Sequence, residues 1–303
     1  MTKKQKKQLI EAILVIIITI ISVYFNNEKE VQSPTTQNRK TEQVINTSDA
    51  DNLKVHFIDV GQADSILIEQ NNEYILIDAG NNEDGPLLVN YFNNLGIASF
   101  KYVFGTHAHE DHIGGLDDII ANFTIENFYM PEVITTTKTF EDVLDALEAK
   151  QVAFQTPKIN DELTLKDSKI KVLSILNDDE DLNDTSIVLR LKYGTTSFLF
   201  TGDASSTIEK NILNKEIQSD VLKLGHHGSR YSTSKEFLKK VSPTYAIISV
   251  GKNNSYNHPH SEVFKRLNEQ NVKIYRTDEQ GTIIAESNGT IINFTTIKTN
   301  TNG

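Results

Sequence analysis

Hydrophobic and polar positions divide the chain into three regimes. From Leu9 to Phe25 the side chains are apolar on every side of any helix they form, with Glu11 the only charge. A run of about 17 residues is at the short end of what crosses a bilayer, and the lack of a polar face argues against a helix of a globular core. Positions 26–52 reverse the pattern: "NNEKEVQSPTTQNRKTEQ" has no period and almost nothing to bury, which predicts a solvated linker. From Leu53 onward short apolar runs recur, among them "LKVHFIDV", "SILIEQNNEYILIDAG", "YVFGTHAH", "IENFYMP", "KIKVLSIL", "SIVLRLKYGTTSFLFTGD", "DVLKLGHHGS", "TYAIISVG" and "VKIYRTDEQGTIIAES". Two of these break at a pair of turn residues, Asn71-Asn72 and Gly194-Thr195, and predict hairpins. Helix-length segments such as "SSTIEKNILNKEI", "SKEFLKKV" and "SEVFKRLNEQ" space the later runs. Strands in two groups with helices outside predict an α/β sandwich of four layers over positions 53–298.

Charge gives the first apolar run a direction. Lys3, Lys4, Lys6 and Lys7 precede it, and cationic flanks stay in the cytoplasm, so the rest of the chain is expected outside. Tyr24 and Phe25 stand where an interfacial aromatic belt forms, and "SVYFNNEKE" has no small-x-small cleavage site, so the segment reads as an uncleaved anchor rather than a removed signal peptide. The expected division is a cytoplasmic N-terminus at 1–8, a transmembrane signal anchor at 9–25, the linker at 26–52 and one globular domain at 53–298. A formal net charge of -11 excludes a broad basic surface of the kind that holds nucleic acid by counterion release. The absence of cysteine leaves His, Asp and Glu as the side chains for any bound metal.

Candidate chemistry concentrates in "FGTHAHEDHIGG", which packs three of the chain's eight histidines and an aspartate into six residues. Protonated imidazoles at that spacing repel one another, so a surface loop gains nothing from them, whereas a metal site uses them all. His107 and His109 project from the same side of an extended strand end and can grip one ion; Asp111 and His112, beyond the turn, can address a second close by. Gly114 and Gly115 let the backbone pass near the site before the helix "LDDIIANF". Two ions about 4 Å apart clamp the attacking and leaving oxygens of a displacement and generate hydroxide near neutral pH.

This stretch, His-x-His-x-Asp-His followed by Gly-Gly at a strand end, resembles the signature of the metallo-β-lactamase superfamily. The likeness covers about 53–297 and extends to the extracellular hydrolase domain of ComEC-type DNA-uptake proteins, because "HFIDVGQADSILIE", "ILIDAG", "THAHEDHIGG", "NDTSIVLRLKYGTTSFLFTGD", "DVLKLGHHGS" and "NNSYNHPHSEVFKRL" occur in that family's order. The resemblance implies a metallo-β-lactamase αββα four-layer sandwich with metals at one edge between the sheets, held by His107, His109, Asp111, His112, Asp203 and the pair His226-His227. Asp203 would be the bridging carboxylate, although a strand-end Asp before "ASSTIEK" also reads as a helix N-cap. At least one of His226 and His227 would be a ligand, with its neighbour facing the substrate. Adjacent strand residues point opposite ways, so both ligate only where the backbone turns at Gly225 or Gly228. Asp78 would orient the histidine loop.

The chain departs from the superfamily pattern at one place. No histidine lies between His112 and His226, where the resemblance expects the third ligand of the first ion, and "LNDTSIVLRL" stands there with Asn183 and Ser186 at ComEC-type positions. The first ion is therefore expected to be the weaker one. The expected cofactor is Zn²⁺, as one or two ions, with Mn²⁺ the alternative that the carboxylate share favours.

Asp59, Gln62 and Asp64 in "DVGQADS" read either as turn chemistry or as support for the site. His258 in "NNSYNHPH" reads either as part of a capping loop before a helix near Ser261 or as the acid for a leaving oxygen. His56 reads as a structural residue on the solvent side of its strand. Asp111, His227 and His258 are the candidate catalytic residues. The apolar run with its lysine flank and the resemblance together lead to the expectation of a membrane-anchored extracytoplasmic metal-dependent hydrolase, a phosphodiesterase or nuclease using metal-bound hydroxide, with nuclease activity what the resemblance implies. The alternatives are an esterase of small envelope phosphodiesters of the phosphorylcholine or teichoic acid type, and a non-enzymatic surface metal-binding scaffold. The expected partners are a phosphodiester substrate, DNA among them, and the membrane through the N-terminal helix, with no stable protein partner.

Overall fold

The computed structural model describes residues 52–298 apart from 134 and 178–180. The anchor and nearly all of the linker expected before Leu53 lie outside the described residues, and among the described residues no helix is long and apolar enough to cross a membrane.

Alternation along the strands sends side chains into different cores. In β1 (Leu53–Phe57), β2 (Ser65–Gln70) and β3 (Glu73–Ala79), one face carries Val55, Phe57, Ile66, Ile68, Ile75 and Ile77, and the other carries Leu67 and Leu76. The unbroken apolar runs in the sequence are strands buried on both faces. Further along come β4 (Ser99–Phe100), β5 (Tyr102–Phe104), β6 (Thr124–Ile125), β7 (Phe128–Tyr129) and β8 (Phe154–Gln155), then β9 (Glu162–Leu165), β10 (Ser168–Ser174), β11 (Val188–Tyr193) and β12 (Thr196–Phe200). The last are β13 (Val221–Lys223), β14 (Tyr245–Ile248), β15 (Lys273–Arg276), β16 (Thr282–Ser287) and β17 (Ile292–Ile297). They form one sheet in the order β17-β16-β1-β2-β3-β5-β7-β8, a second in the order β15-β14-β13-β12-β11-β10-β9, and a small β4-β6 pair. Phe198 and Phe200 meet the first sheet's inner face, while Leu199 lies in the core behind the second sheet.

Helices roof both outer faces. On the first sheet lie α1 (Gly85–Asn94), α2 (Glu110–Ile113), α3 (Leu116–Asn122) and α4 (Lys138–Lys150), burying Leu88, Phe92, Ile113, Ile119, Val143 and Leu147. Behind the second lie α5 (Ser206–Asn211), α6 (Lys235–Val241) and α7 (Ser261–Glu269), which bury Ile208, Phe237, Leu238, Val263 and Leu267. The result is the expected αββα four-layer sandwich. Both hairpins form: Asn71 and Asn72 take positive φ between Gln70 and Glu73, and Gly194 does so between Tyr193 and Thr196.

Three expectations are corrected. "VKIYRTDEQGTIIAES" is split by a short helix, Thr277–Gln280, and its halves β15 and β16 belong to different sheets. The helix expected over "SSTIEKNILNKEI" ends at Asn211. His56 is buried rather than on a solvent side, because α1 covers that face and brings the Tyr91 hydroxyl within 2.8 Å of His56 Nδ1.

Two local devices bring the chain to the site. The β2–β3 register slips between Ser65↔Ala79 and Ile66↔Ile77, which leaves Asp78 as the extra residue of a bulge at φ +60 and turns its side chain out of the strand's alternation. Gly114 and Gly115 lie directly on the end of β3: their amides donate to Gly80 O (2.9 Å) and Ala79 O (3.2 Å). A Cβ on Gly114 would stand 2.2 Å from the Asn81 carbonyl carbon. Gly114→Ala is therefore expected to lower stability by about 1–3 kcal/mol through forced backbone displacement. Denaturant titration measures this, and an unchanged midpoint would show that the loop does not depend on that contact.

Candidate metal centre

The candidate residues gather where strands end at one edge of the sandwich. Asp78 closes β3, the histidine loop leaves β5, Asp203 follows β12, His226-His227 follow β13, and His258 lies beyond β14. Asp78 is buried and accepts three hydrogen bonds: from Thr106 N (2.7 Å), from Thr106 Oγ1 (2.7 Å) and from His112 Nδ1 (2.8 Å). Burial raises its carboxyl above the usual range against the pull of His112 and Thr106, yet three donors are matched only by the ionised form. One carboxylate thus sets two imidazoles. His112 donates its Nδ1–H to Asp78 and turns Nε2 into the site. Thr106 Oγ1, its own proton committed to Asp78, is left to accept from His107 Nδ1 at 3.2 Å, which leaves the His107 Nε2 lone pair exposed to His109.

Two donor sets result. His107 Nε2 and His109 Nδ1 converge to 3.0 Å. Beside them, with the His107 and His112 rings 4.1 Å apart, Asp111, His112, Asp203 and His227 each offer one ligand atom within 4.8 Å of the others. His112 Nε2 and Asp203 Oδ1, both buried, face each other at 3.3 Å as an ion pair, and once the imidazole proton is lost the same two atoms can face a common cation. The cluster therefore fits a divalent metal. Asp203 does not cap the following helix, since Ser205 does that by accepting from Thr207 N.

The adjacent histidines are separated by backbone conformation. His226 (φ 50) and His227 (φ 51) both occupy the left-handed region, and Gly228 (φ 83) continues the turn. His227 Nδ1 donates to Ser249 O at 3.0 Å, so Nε2 faces Asp111 Oδ2 (3.2 Å) and Asp203 Oδ2 (3.7 Å) inside the cluster. His226, partly exposed on the cleft wall, keeps Nε2 3.7 Å from Asp203 Oδ2.

Charges in this pocket hold one another in place. Burial works to raise Asp111 and Asp203, but the positive charges of His112 and His227 outweigh it and depress both carboxyls. Burial likewise opposes protonation of His112 and His227, and the surrounding carboxylates, Asp203 first in each case, raise both above the usual imidazole value. His107, with the His112 charge beside it, is driven well down by burial and stays neutral. Of the residues in "DVGQADS", Asp59 makes turn contacts by accepting from Gly61 N, and Gln62 Oε1 accepts from Gly251 N at 3.0 Å at the cleft edge. Asp64 is different: it pairs with Lys223 at 2.7 Å, both fully buried, lies 3.5 Å from His227 Nδ1, and its amide donates to Asp111 O. Lys223 was not anticipated, although a lysine inside the otherwise apolar "DVLKLG" was the visible signal.

Above the cluster lies a cleft of about 280 Å³ lined by Gln62, His109, Asn183, His226, Tyr256 and His258 among others. His258 does not cap α7; its amide donates to Asn254 Oδ1, and its ring stacks with Tyr256 at 5.7 Å and meets His226 edge-on at 5.5 Å. Burial, then repulsion from His226, His227 and His260, pushes its imidazole down to about 4. A neighbouring groove of about 770 Å³ carries Asp59, Glu83, Asp84, Glu110, Asp111 and Asp278 against the single cation Lys252.

Comparison with known proteins agrees with this geometry. ComE operon protein 3 of Bacillus subtilis (strain 168) is 34% identical over 251 residues, 76% of this chain and 32% of that protein. Competence protein ComA of Neisseria gonorrhoeae is 30% identical over 229 residues, 74% of this chain and 31% of that protein. The chain thus spans about a third of the length of these relatives. The metallo-beta-lactamase fold protein YhfI from Bacillus subtilis has a TM-score of 0.55 at 13% identity, covering 78% of this chain and all of that one, and shares the fold. The family model of the metallo-beta-lactamase superfamily matches residues 58–252, a segment that contains all four residues of the buried cluster, and the chain belongs to that superfamily of metal-dependent hydrolases.

Proposed function

We propose that the protein is a membrane-anchored, extracytoplasmic phosphodiesterase with two adjoining cation sites. His107 and His109 belong to one, Asp111, His112 and His227 to the other, and Asp203 lies at their junction. The observation that carries this reading is the side-by-side arrangement of the two donor sets beneath one open cleft. Divalent cations held there would polarise a phosphoryl oxygen and make water acidic enough to attack near neutral pH. A residual scaffold has no use for four ligand atoms, from Asp111, His112, Asp203 and His227, turned toward one another at the base of a cleft. One of the relatives is a competence protein, which together with the resemblance to ComEC-type DNA-uptake proteins supports DNA as one substrate. The acidic groove beside the cleft repels a long duplex and favours single strands or small diesters, among them envelope phosphodiesters.

The chain's own groups have separable tasks in this reading. Asp78 and Ser249 hold His112 and His227 with their Nε2 atoms inward, and Lys223 and Asp64 fix the strand end that carries the latter. His226 and His258 face the substrate across the cleft. His258 is neutral in the free cleft at neutral pH, so donation of a proton to the leaving oxygen depends on the negative charge of the bound diester to raise its basicity. Over the N-terminal 1–52, the cytoplasmic segment at 1–8, the anchor at 9–25 and the linker at 26–52 would tether the hydrolase domain of 53–298 outside the membrane.

Protease added to intact cells is expected to remove the domain; digestion only after lysis would reverse the orientation. Cation uptake must displace the protons that the carboxylates hold on His112 and His227, so affinity is expected to rise with pH through the neutral range and uptake to release protons. Calorimetry in buffers of different ionisation heat reads both, and a pH-independent affinity without proton release would contradict the assignment of these imidazoles. The reaction is tested on a panel of single- and double-stranded DNA, bis-p-nitrophenyl phosphate, phosphorylcholine esters and a cephalosporin. Activity is expected on flexible DNA and small diesters above duplexes, abolished by a chelator and restored by Zn²⁺ or Mn²⁺. His258→Ala should slow esters with poor leaving groups by about 10²-fold or more and p-nitrophenyl esters little. Hydrolysis of the cephalosporin with every phosphodiester left intact would overturn the proposal.

A further inference from the structure

The His107–His109 pair lacks a third anchoring group of the usual kind. Neither residue belongs to a cluster of three or more His, Asp or Glu ligand atoms among the described residues, and two imidazoles alone hold a divalent ion poorly against water. The short turn Leu182–Thr185 reaches this place and is pinned there from several sides. Ile187 N donates to Thr106 O (3.0 Å), Asp203 N donates to Ser186 Oγ (3.0 Å), and Ser205 N donates to Asp184 Oδ1 (3.0 Å). Ser186 Oγ also lies 3.4 Å from His107 Nδ1. Within this fixed turn Asn183 lines the same cleft as His109 and Asp203, and its Oδ1 is buried without a hydrogen-bond partner. A buried amide oxygen without a partner is destabilising, so a turn tied down by so many other bonds is expected to retain it for a ligand.

We propose that Asn183 Oδ1 is the third protein ligand of the His107–His109 cation site. The inference rests on the two-site reading above and specifies its weaker half. A neutral carbonyl-type oxygen in place of a third imidazole makes the site weaker for Zn²⁺ and relatively more tolerant of Mn²⁺, since harder ions accept oxygen donors more readily.

Elemental analysis and calorimetric titration of the full-length protein with Zn²⁺ and with Mn²⁺ test this without reference to turnover. The wild type is expected to bind two ions of unequal affinity. Asn183→Ala should weaken the second, more weakly held ion, that of His107 and His109, by about 10–100-fold and leave the ion of Asp111, His112 and His227 unchanged. Asn183→Asp keeps an oxygen at the same place and should hold the second ion, and Asn183→His should raise Zn²⁺ affinity there relative to Mn²⁺. If Asn183 instead donates its amide N–H to the substrate, Asn183→Ala retains both ions while His107→Ala loses one, and the inference fails alone. Loss of both ions in Asn183→Ala, or loss of the second in Asn183→Asp, also overturns it, because either marks a structural role. If His107→Ala and His109→Ala still bind two ions with unchanged affinities, the two-site reading itself fails.

Discussion

The carboxylate of Asp78, placed on a bulge and sealed from solvent, organises the whole metal centre. Its three acceptor bonds tie the β5 loop to β3 and determine which nitrogens of His107 and His112 face inward. A carboxylate taken out of water is costly unless several donors meet it. The loop cannot shift without leaving Asp78 unpaired, so the burial that makes the residue expensive also makes the site rigid.

The same logic extends across the sandwich. Asp64, Asp78 and Asp203 are buried within one neighbourhood, where their mutual repulsion is strong. Lys223 neutralises Asp64 from the second sheet, and His112 and His227 neutralise Asp203 and Asp111 from both. Each sheet supplies compensating charge for the other, so the edge between them closes only when both are folded. A divalent ion held by these residues would replace imidazole protons in this balance, which would couple stability to metal uptake. Removing one member of the Lys223–Asp64 pair leaves a stranded buried charge, a loss of about 3–5 kcal/mol.

The cleft and its surroundings assign different work to different charges. With divalent cations bound, the floor of the cleft would carry positive charge, while the adjoining groove is acidic. A substrate phosphate is drawn to the floor only where it can enter without laying a long polyanion along the groove. Tyr256, well exposed, lines both spaces and stacks on His258, so the boundary between them is an aromatic surface.

Much of this was legible in the residues alone. The unbroken apolar runs in "SILIE" and "FLF", the paired Asn71-Asn72 turn and the spacing of His107, His109, Asp111 and His112 report strand, hairpin and candidate ligand positions directly, because each depends on neighbours only a few residues apart. Other features depended on packing between distant segments. That β15 and β16 part into different sheets, that α1 covers His56, that Lys223 meets Asp64 across the sandwich, and that Asn183 lines the same cleft as His109 follow from elements far apart in sequence. The choice between His226 and His227 also lay with tertiary structure, since only the Ser249 carbonyl and the left-handed turn decide which Nε2 enters the cluster. Local periodicity reflects the short-range geometry of the chain, whereas buried charge must find its partner wherever the fold brings one, and sequence spacing carries no record of that meeting.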